Sequence, residues 1–133
     1  MDIYNLKLKT SDNRNLLQVR CFTYSKDLIT FVASFPNQRI YWVISDQLLR
    51  SGASIGANII EAQAASSRLD FIKYFQIALK SAKETEYWLY LLEDLAKANH
   101  SRINKLITET QQLSKMIAAS LLTLKGKRKD FQI

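Results

Sequence analysis

Apolar residues recur along this chain at alternating spacings of four and three, in four separate stretches. That rhythm belongs to helices packed lengthwise against other helices. The first seam runs Leu17, Cys21, Tyr24, Leu28, Phe31, Phe35. The second runs Ile44, Leu48, Ser51 or Gly52, Ile55, Ile59, Ala62. The third is the cleanest: Phe71, Phe75, Ala78, Ala82, Thr85, Leu89, Leu92, Ala96. The fourth runs Ile103, Leu106, Thr110, Leu113, Ile117, Ser120, Leu124. With only 3 Gly and 1 Pro, the chain lacks the turn-formers that a sheet-rich fold needs.

The breaks between seams carry helix signals. Asp12 or Asn13 can cap the first helix, and Pro36 ends it by pushing the preceding residue out of helical geometry. Asn37 is then expected to cap the second helix, which runs to about Ala65. Ser67, with Asp70 three residues on, resembles a capping box and opens the third. That helix breaks near Asn99, His100 and Ser101, where Asn99 or Ser101 can cap the fourth, and Gly126 is expected to stop it. The expected architecture is all-α: an antiparallel up-down-up-down four-helix bundle over residues 13–125. A flexible segment, 1–12, precedes it and a basic tail, 126–133, follows. A chain of 133 residues fits one such domain.

Several helices carry a second apolar row beside the seam. Helix one adds Phe22, Ile29 and Val32; helix two adds Trp42, Leu49, Ala53 and Ile60. Helix three adds Leu69, Ile72, Leu79, Trp88, Leu91 and Leu95. A lone bundle needs about one stripe per helix. The surplus fits either a self-association surface or one thick core.

The net charge is +7, and it is unevenly spread. Residues 36–99 balance, residues 1–35 hold a surplus of two positive charges, and residues 100–133 hold seven basic against two acidic side chains. The excess ends in Lys125, Lys127, Arg128 and Lys129, with Arg102 and Lys105 earlier in the same segment and Lys7 and Lys9 at the other terminus. An antiparallel bundle brings both termini to one end and so pools their charge. Such a pole attracts polyanions without sequence preference; the alternative is a solvated tail that maintains solubility.

No window approaches the roughly eighteen apolar residues of a membrane span, and MDIYNLKLKTSDNRN lacks the apolar core of a signal peptide. The single Cys21 falls on an apolar helix face and is expected to be a buried thiol in a reducing cytoplasm.

Residues 48–61, LLRSGASIGANIIE, put small residues in the middle of helix two and polar ones on its rim. Arg50, Ser54, Asn58 and Glu61 lie along one stripe. A glycine inside a helix costs about 1 kcal/mol relative to alanine, so Gly52 and Gly56 imply close approach of another helix.

This block, followed by SSRLDFIKYFQIALKSAKETEYWLYLLEDL, resembles the four-helix-bundle family of 23S ribosomal RNA intervening-sequence proteins. Members carry a segment like LRRAAxSIPANIAEG, matched here by Leu49, Arg50, Ser54, Ile55, Ala57, Asn58, Ile59 and Glu61. A second element is matched by Ser67, Asp70, Phe71, Phe75, Ile77, Ala78, Ser81 and Glu84. Gly56 stands where the family often has proline, and Ala62 and Lys80 where it often has glycine. The resemblance implies a homopentamer: a homo-oligomeric ring of five bundles. A related branch, the accessory variability proteins of diversity-generating retroelements, implies nucleic acid and a reverse transcriptase as partners.

Arg50, Asn58, Glu61, Ser81 and Glu84 are polar residues within the matched motifs. They read either as a hydrogen-bonded layer that fixes register or subunit contacts, or as a ligand pocket in which Glu61 and Glu84 do acid–base work. A di-metal bundle needs Glu-x-x-His, and the sequence has none; its one histidine, His100, falls in an expected turn. Phosphate-loop, HExxH and CxxC signatures are also absent, so no catalytic residue, metal or cofactor is assigned. The expected function is that of a non-enzymatic, cytoplasmic, homo-oligomeric bundle. It binds RNA or DNA nonspecifically through a basic end, as accessory to an RNA- or retroelement-associated system. The alternative is a structural or protein-interaction module without nucleic-acid binding.

Overall fold

A computed structural model describes residues 13–95 and 100–130. Four helices follow one another: α1 (Asn13–Ala33), α2 (Arg39–Ala62), α3 (Arg68–Leu95) and α4 (His100–Asp130), with no strand among the described residues. Packing joins α1 to α2, α2 to α3, α3 to α4, and α4 back to α1, while the backbones of the diagonal pairs stay apart. The helices therefore ring a single core. Its largest fully buried side chains are Tyr24, Phe31, Leu28, Leu48, Ile55 and Ile59.

Most seam positions read from the sequence are buried; Phe71, Ser120 and Leu124 are half-buried, and Ala96 lies outside the described residues. On α2 every seam residue from Ile44 to Ala62 is buried, and Gly52 and Gly56 are buried with them. On α1, Leu17, Cys21, Tyr24, Leu28 and Phe31 are buried, while Phe35 lies past the helix end and is half-buried. Its ring meets Phe31 edge-on at 4.7 Å and Tyr41 at 5.5 Å, closing the α1–α2 corner.

The glycines are where α1 crosses α2. A Cβ on Gly52 would stand 2.1 Å from Leu28 Cδ2, and one on Gly56 would stand 3.1 Å from Cys21 Cβ. Each glycine forfeits helix propensity so that α1 can lie close against α2.

Polar groups fix the register between helices. The hydroxyls of Ser51 and Thr85 pair at 2.9 Å, and Thr85 also donates to the Ser81 carbonyl at 2.7 Å. Further along, Ser81 Oγ donates to Ser54 Oγ at 3.1 Å. On the other side of the core, Thr110 donates to the Leu106 carbonyl and is left to accept from the Tyr24 hydroxyl at 2.6 Å. Arg20 grips both carboxylate oxygens of Glu109, at 2.8 and 2.9 Å, tying α1 to α4. A two-pronged, part-buried pair of this kind holds register better than a single surface contact.

Three helix ends differ from the sequence expectation. Gln38, not Asn37, is the N-cap of α2; it is extended (φ −131, ψ 144) and makes no side-chain cap bond. The α2 helix ends at Ala62, because Gln63, Ala64 and Ala65 donate to carbonyls three residues back and tighten the last turn. Gly126 does not stop α4, which continues to Asp130. Nothing lies within 4 Å of where its side chain would be, so no tertiary contact breaks the helix there.

The α3 cap is as read: Ser67 Oγ accepts from the Asp70 backbone N–H at 3.1 Å. The Asp70 carboxylate accepts from the Ser66 hydroxyl at 3.4 Å. Ser67→Ala is expected to cost about 1 kcal/mol, readable as a lowered urea midpoint at unchanged slope. Residues 1–12, with the proposed cap Asp12 and flexible segment, lie outside the described residues, as do 96–99 and 131–133.

Candidate nucleic-acid interface

Four of the motif residues, Arg50, Asn58, Ser81 and Glu84, lie along the seam between α2 and α3. Arg50 donates to Glu84, and also to Gln47 Oε1 at 2.9 Å. Trp88 Nε1 reaches the same Glu84 oxygen at 3.4 Å. The Arg50 guanidinium bonded to Glu84 holds that carboxyl below its ordinary range. Any stability from this pair is present above the ordinary carboxylate pKa and fades as pH falls through the lowered one. It is small, because both side chains are more than a third exposed.

Deeper along the groove, Asn58 Nδ2 donates to the Ser54 carbonyl at 2.8 Å and to Ser54 Oγ at 2.9 Å. Ser81 joins them through Ser54. Arg50 and Glu84 thus form one cluster, and Asn58 and Ser81 another. Glu61 belongs to neither; it is exposed near the end of α2 and no donor reaches its carboxylate among the described residues. Ser54, Ser51 and Thr85 complete the polar layer; the sequence placed Ser51 and Thr85 in the apolar seams and Ser54 on the Arg50 stripe without assigning them to that layer. Their signal was small polar residues at core spacing.

The carboxylates do not assemble a reactive centre. Glu84 is bonded to Arg50, and Glu61 lies elsewhere on α2. Among the described residues no group of three or more His, Cys, Asp and Glu can hold a metal ion. His100, placed in a turn by the sequence, is the first residue of α4 and is exposed.

Burial pushes the Cys21 thiol up to about 12, against a minor opposing pull from Arg20. It is a neutral, packed thiol at neutral pH. Alkylation by iodoacetamide is expected only through unfolding, so the labelling rate should rise with denaturant in step with the unfolded fraction.

The basic residues divide between two ends. Arg102 lies over the Phe31 ring at 5.4 Å and donates to Ser34 Oγ at 3.4 Å, so it sits beside the C-terminal end of α1. Lys105 lines a groove between α1 and α4 with Asp27, Glu109 and Arg20, where both signs of charge meet. Lys125 stands about 30 Å beyond Lys105, and about 35 Å beyond Arg102, along the same helix at about 1.5 Å per residue. Arg102 and Lys105 therefore do not join Lys125 in one patch.

The start of α1 does lie near the Lys125 end. Leu17 shares a groove with Met116, Ala119 and Ser120 of α4. The opening turns of α3 reach the same level: Leu79 lines a groove with Ala118, and Gln111 bonds the Tyr90 hydroxyl at 3.1 Å. Continuing that register puts exposed Lys73 at about the same level along the bundle as exposed Lys125. Lys73 was not singled out from the sequence, because its own segment is charge-balanced. The backbone of Lys127, Arg128 and Lys129 continues α4, but their side chains lie outside the described residues, as do Lys7 and Lys9 entirely.

The fold and this seam define the class: an all-α protein of four helices around one core, with a polar groove between α2 and α3. The family pattern of 23S rRNA-intervening sequence proteins matches residues 16–119, and the chain belongs to that family. The fold is shared with a solved protein of unknown function from the S23 ribosomal protein family of Bacteroides thetaiotaomicron. That protein is 34% identical, with a TM-score of 0.77, over 83% of this chain and 98% of that one. No curated protein matches the chain. No described helix is long and apolar enough to cross a membrane.

Proposed function

We propose that this chain is a non-enzymatic, cytoplasmic protein whose four helices run antiparallel, up-down-up-down, and assemble as a homo-oligomeric ring. The ring binds RNA or DNA without sequence preference through the basic end that carries Lys125. Opposed helix directions are supported by the pairings: Ser51 with Thr85 and then Ser54 with Ser81, as α2 advances and α3 retreats. Five copies is the number the family resemblance implies.

The observation that carries the binding reading is the segregation of charge. The chain's +7 is concentrated in residues 100–133, and that segment runs as one helix to an end where Lys73 and Lys125 stand exposed. Neighbouring copies in a ring would multiply that positive pole, which favours a long polyanion over a small anion. The motif groove does not compete for this role, because its one strong cation, Arg50, is already paired with Glu84. Accessory action beside a reverse transcriptase or another protein of an RNA- or retroelement-associated system fits the same surface.

A gel-shift titration at low salt, with mixed-sequence single-stranded RNA and a duplex DNA of equal length, tests the proposal. The expected result is retardation of both, displaced by an unrelated polyanion such as heparin. Free migration of both nucleic acids at every protein concentration would leave only the protein-interaction module.

A further inference from the structure

We propose that the outer face of α3 is a track for single-stranded nucleic acid: bases stack on Tyr87 and Tyr90 while phosphates follow the lysines of the same row. The inference rests on the nucleic-acid reading above and deepens it. It adds to the basic end a contribution that single strands alone can use.

The side of α3 turned away from the core carries a heptad row of its own. At spacings of three and four it runs Lys73, Gln76, Lys80, Lys83, Tyr87 and Tyr90, every one of them exposed. From Lys73 to Tyr90 the row is about 25 Å long at about 1.5 Å per residue. It starts at the level of Lys125 and so carries positive charge from the basic end up the side of the bundle. Across the α3–α4 groove, Lys115 stands opposite Lys83. Glu86 in that groove pairs with Lys83 at 3.4 Å, and exposed Asp94 follows Tyr90 on the row. Lys73, Lys80 and Lys115 have no carboxylate partner among the described residues. The charge balance of this segment along the chain hides the row, because Glu84 is turned to Arg50 on α2.

The tyrosines are not explained by the core. Tyr87 is 60% exposed and Tyr90 48%, and neither packs against the buried cluster. Both are nonetheless held in place. The Tyr87 ring meets the Trp88 ring nearly at right angles, centroids 5.0 Å apart, and the Tyr90 hydroxyl accepts from Gln111 Nε2 at 3.1 Å. Fixed, solvent-exposed rings beside a basic row are what an unpaired base needs for stacking.

The composition of the row selects the occupant. Lysine is depleted where proteins bury surface against each other, whereas it suits a phosphate backbone. Every base has a π-face, so stacking adds affinity without adding sequence preference. A duplex keeps its bases stacked on one another and offers the row only its phosphates.

Anisotropy titrations with a labelled mixed-sequence single-stranded DNA, and with the duplex made from it, test this. Tyr87→Leu with Tyr90→Leu removes the rings and keeps good helix formers at both positions. This pair should weaken single-strand binding by about 10-fold or more, with duplex affinity unchanged. Tyr87→Phe with Tyr90→Phe keeps the rings and should keep the single-strand affinity. Equal losses on both forms in the Leu pair, or no loss on the single strand, overturn the track and leave the basic end standing. A Leu pair whose mass by light scattering falls below that of wild type overturns it as well, since the face is then a contact between copies. A wild type that binds neither form removes the nucleic-acid reading itself, and that is seen before any substitution.

Discussion

Gly52→Leu will destabilise the bundle although leucine is the better helix former. In a helix interior the exchange is worth about 1 kcal/mol in leucine's favour. Against it stands the α1 crossing: the new Cβ alone falls 2.1 Å from Leu28 Cδ2 and 3.7 Å from Thr85 Cγ2. Leu28 is 1% exposed and Thr85 0%, so neither has open space to move into. Overpacking a core costs about 1–3 kcal/mol for modest insertions, and leucine adds three carbons beyond the Cβ. The expected net loss is about 3 kcal/mol, or roughly 10 °C in Tm for a chain of this size. A circular-dichroism melt reads it directly. Leu28→Ala should recover part of the loss in the Gly52→Leu background, since the two positions share the same space. An unchanged Tm would mean that α1 does not cross α2 at Gly52.

The second large effect is on binding. Exchanging Lys125, Lys127, Arg128 and Lys129 for Glu turns four positive charges negative and moves the net charge from +7 to −1. Affinity for mixed-sequence RNA is expected to fall about 100-fold or more at low salt, because contacts become repulsions. The last turn of α4 will fray somewhat, since anions oppose the helix dipole at a C-terminus. The core seam ends at Leu124, so the global melt should move little. Arg102→Glu with Lys105→Glu is the matched control. Those residues lie at the far end of α4 among Asp27 and Glu109, and their reversal should change affinity only modestly.

Heptad spacing made the four helices and their buried rows legible before any coordinate. The seam positions on α2, Ile44 to Ala62, are buried without exception. Periodicity separates an inward face from an outward one, and tertiary packing respects that division. It is weaker on how wide the inward face is. Of the second rows, Ile72 is buried, and Val32, Leu49, Leu79 and Trp88 pack against the core, while Ile29, Trp42, Leu69 and Leu95 remain exposed. The surplus stripe is therefore partly a thick core and partly a free surface, and spacing alone cannot divide the two.

Helix ends were harder to place, because local chemistry competes with neighbours. Gly126 is a good stop signal, but α4 runs past it where no other element intervenes. The polar layer was legible only in part: Asn58 and Ser81 meet through Ser54 and Arg50 meets Glu84, whereas Glu61 stands apart. Which hydroxyl meets which depends on the rotation of α2 against α3, and that sets Glu61 apart from Asn58. Charge counted along the chain likewise grouped Arg102 and Lys105 with the tail, whereas a long helix carries them to opposite ends.

The salt dependence of RNA affinity tests the central claim most directly, since it counts the phosphates engaged. Each neutralised phosphate of a single strand contributes about −0.7 to the slope of log K against log salt, so one chain's four terminal cations give at most about −3. A ring that pools several such ends on one strand predicts a slope of about −5 or steeper. A flat response, or no binding at the lowest salt, would contradict the account.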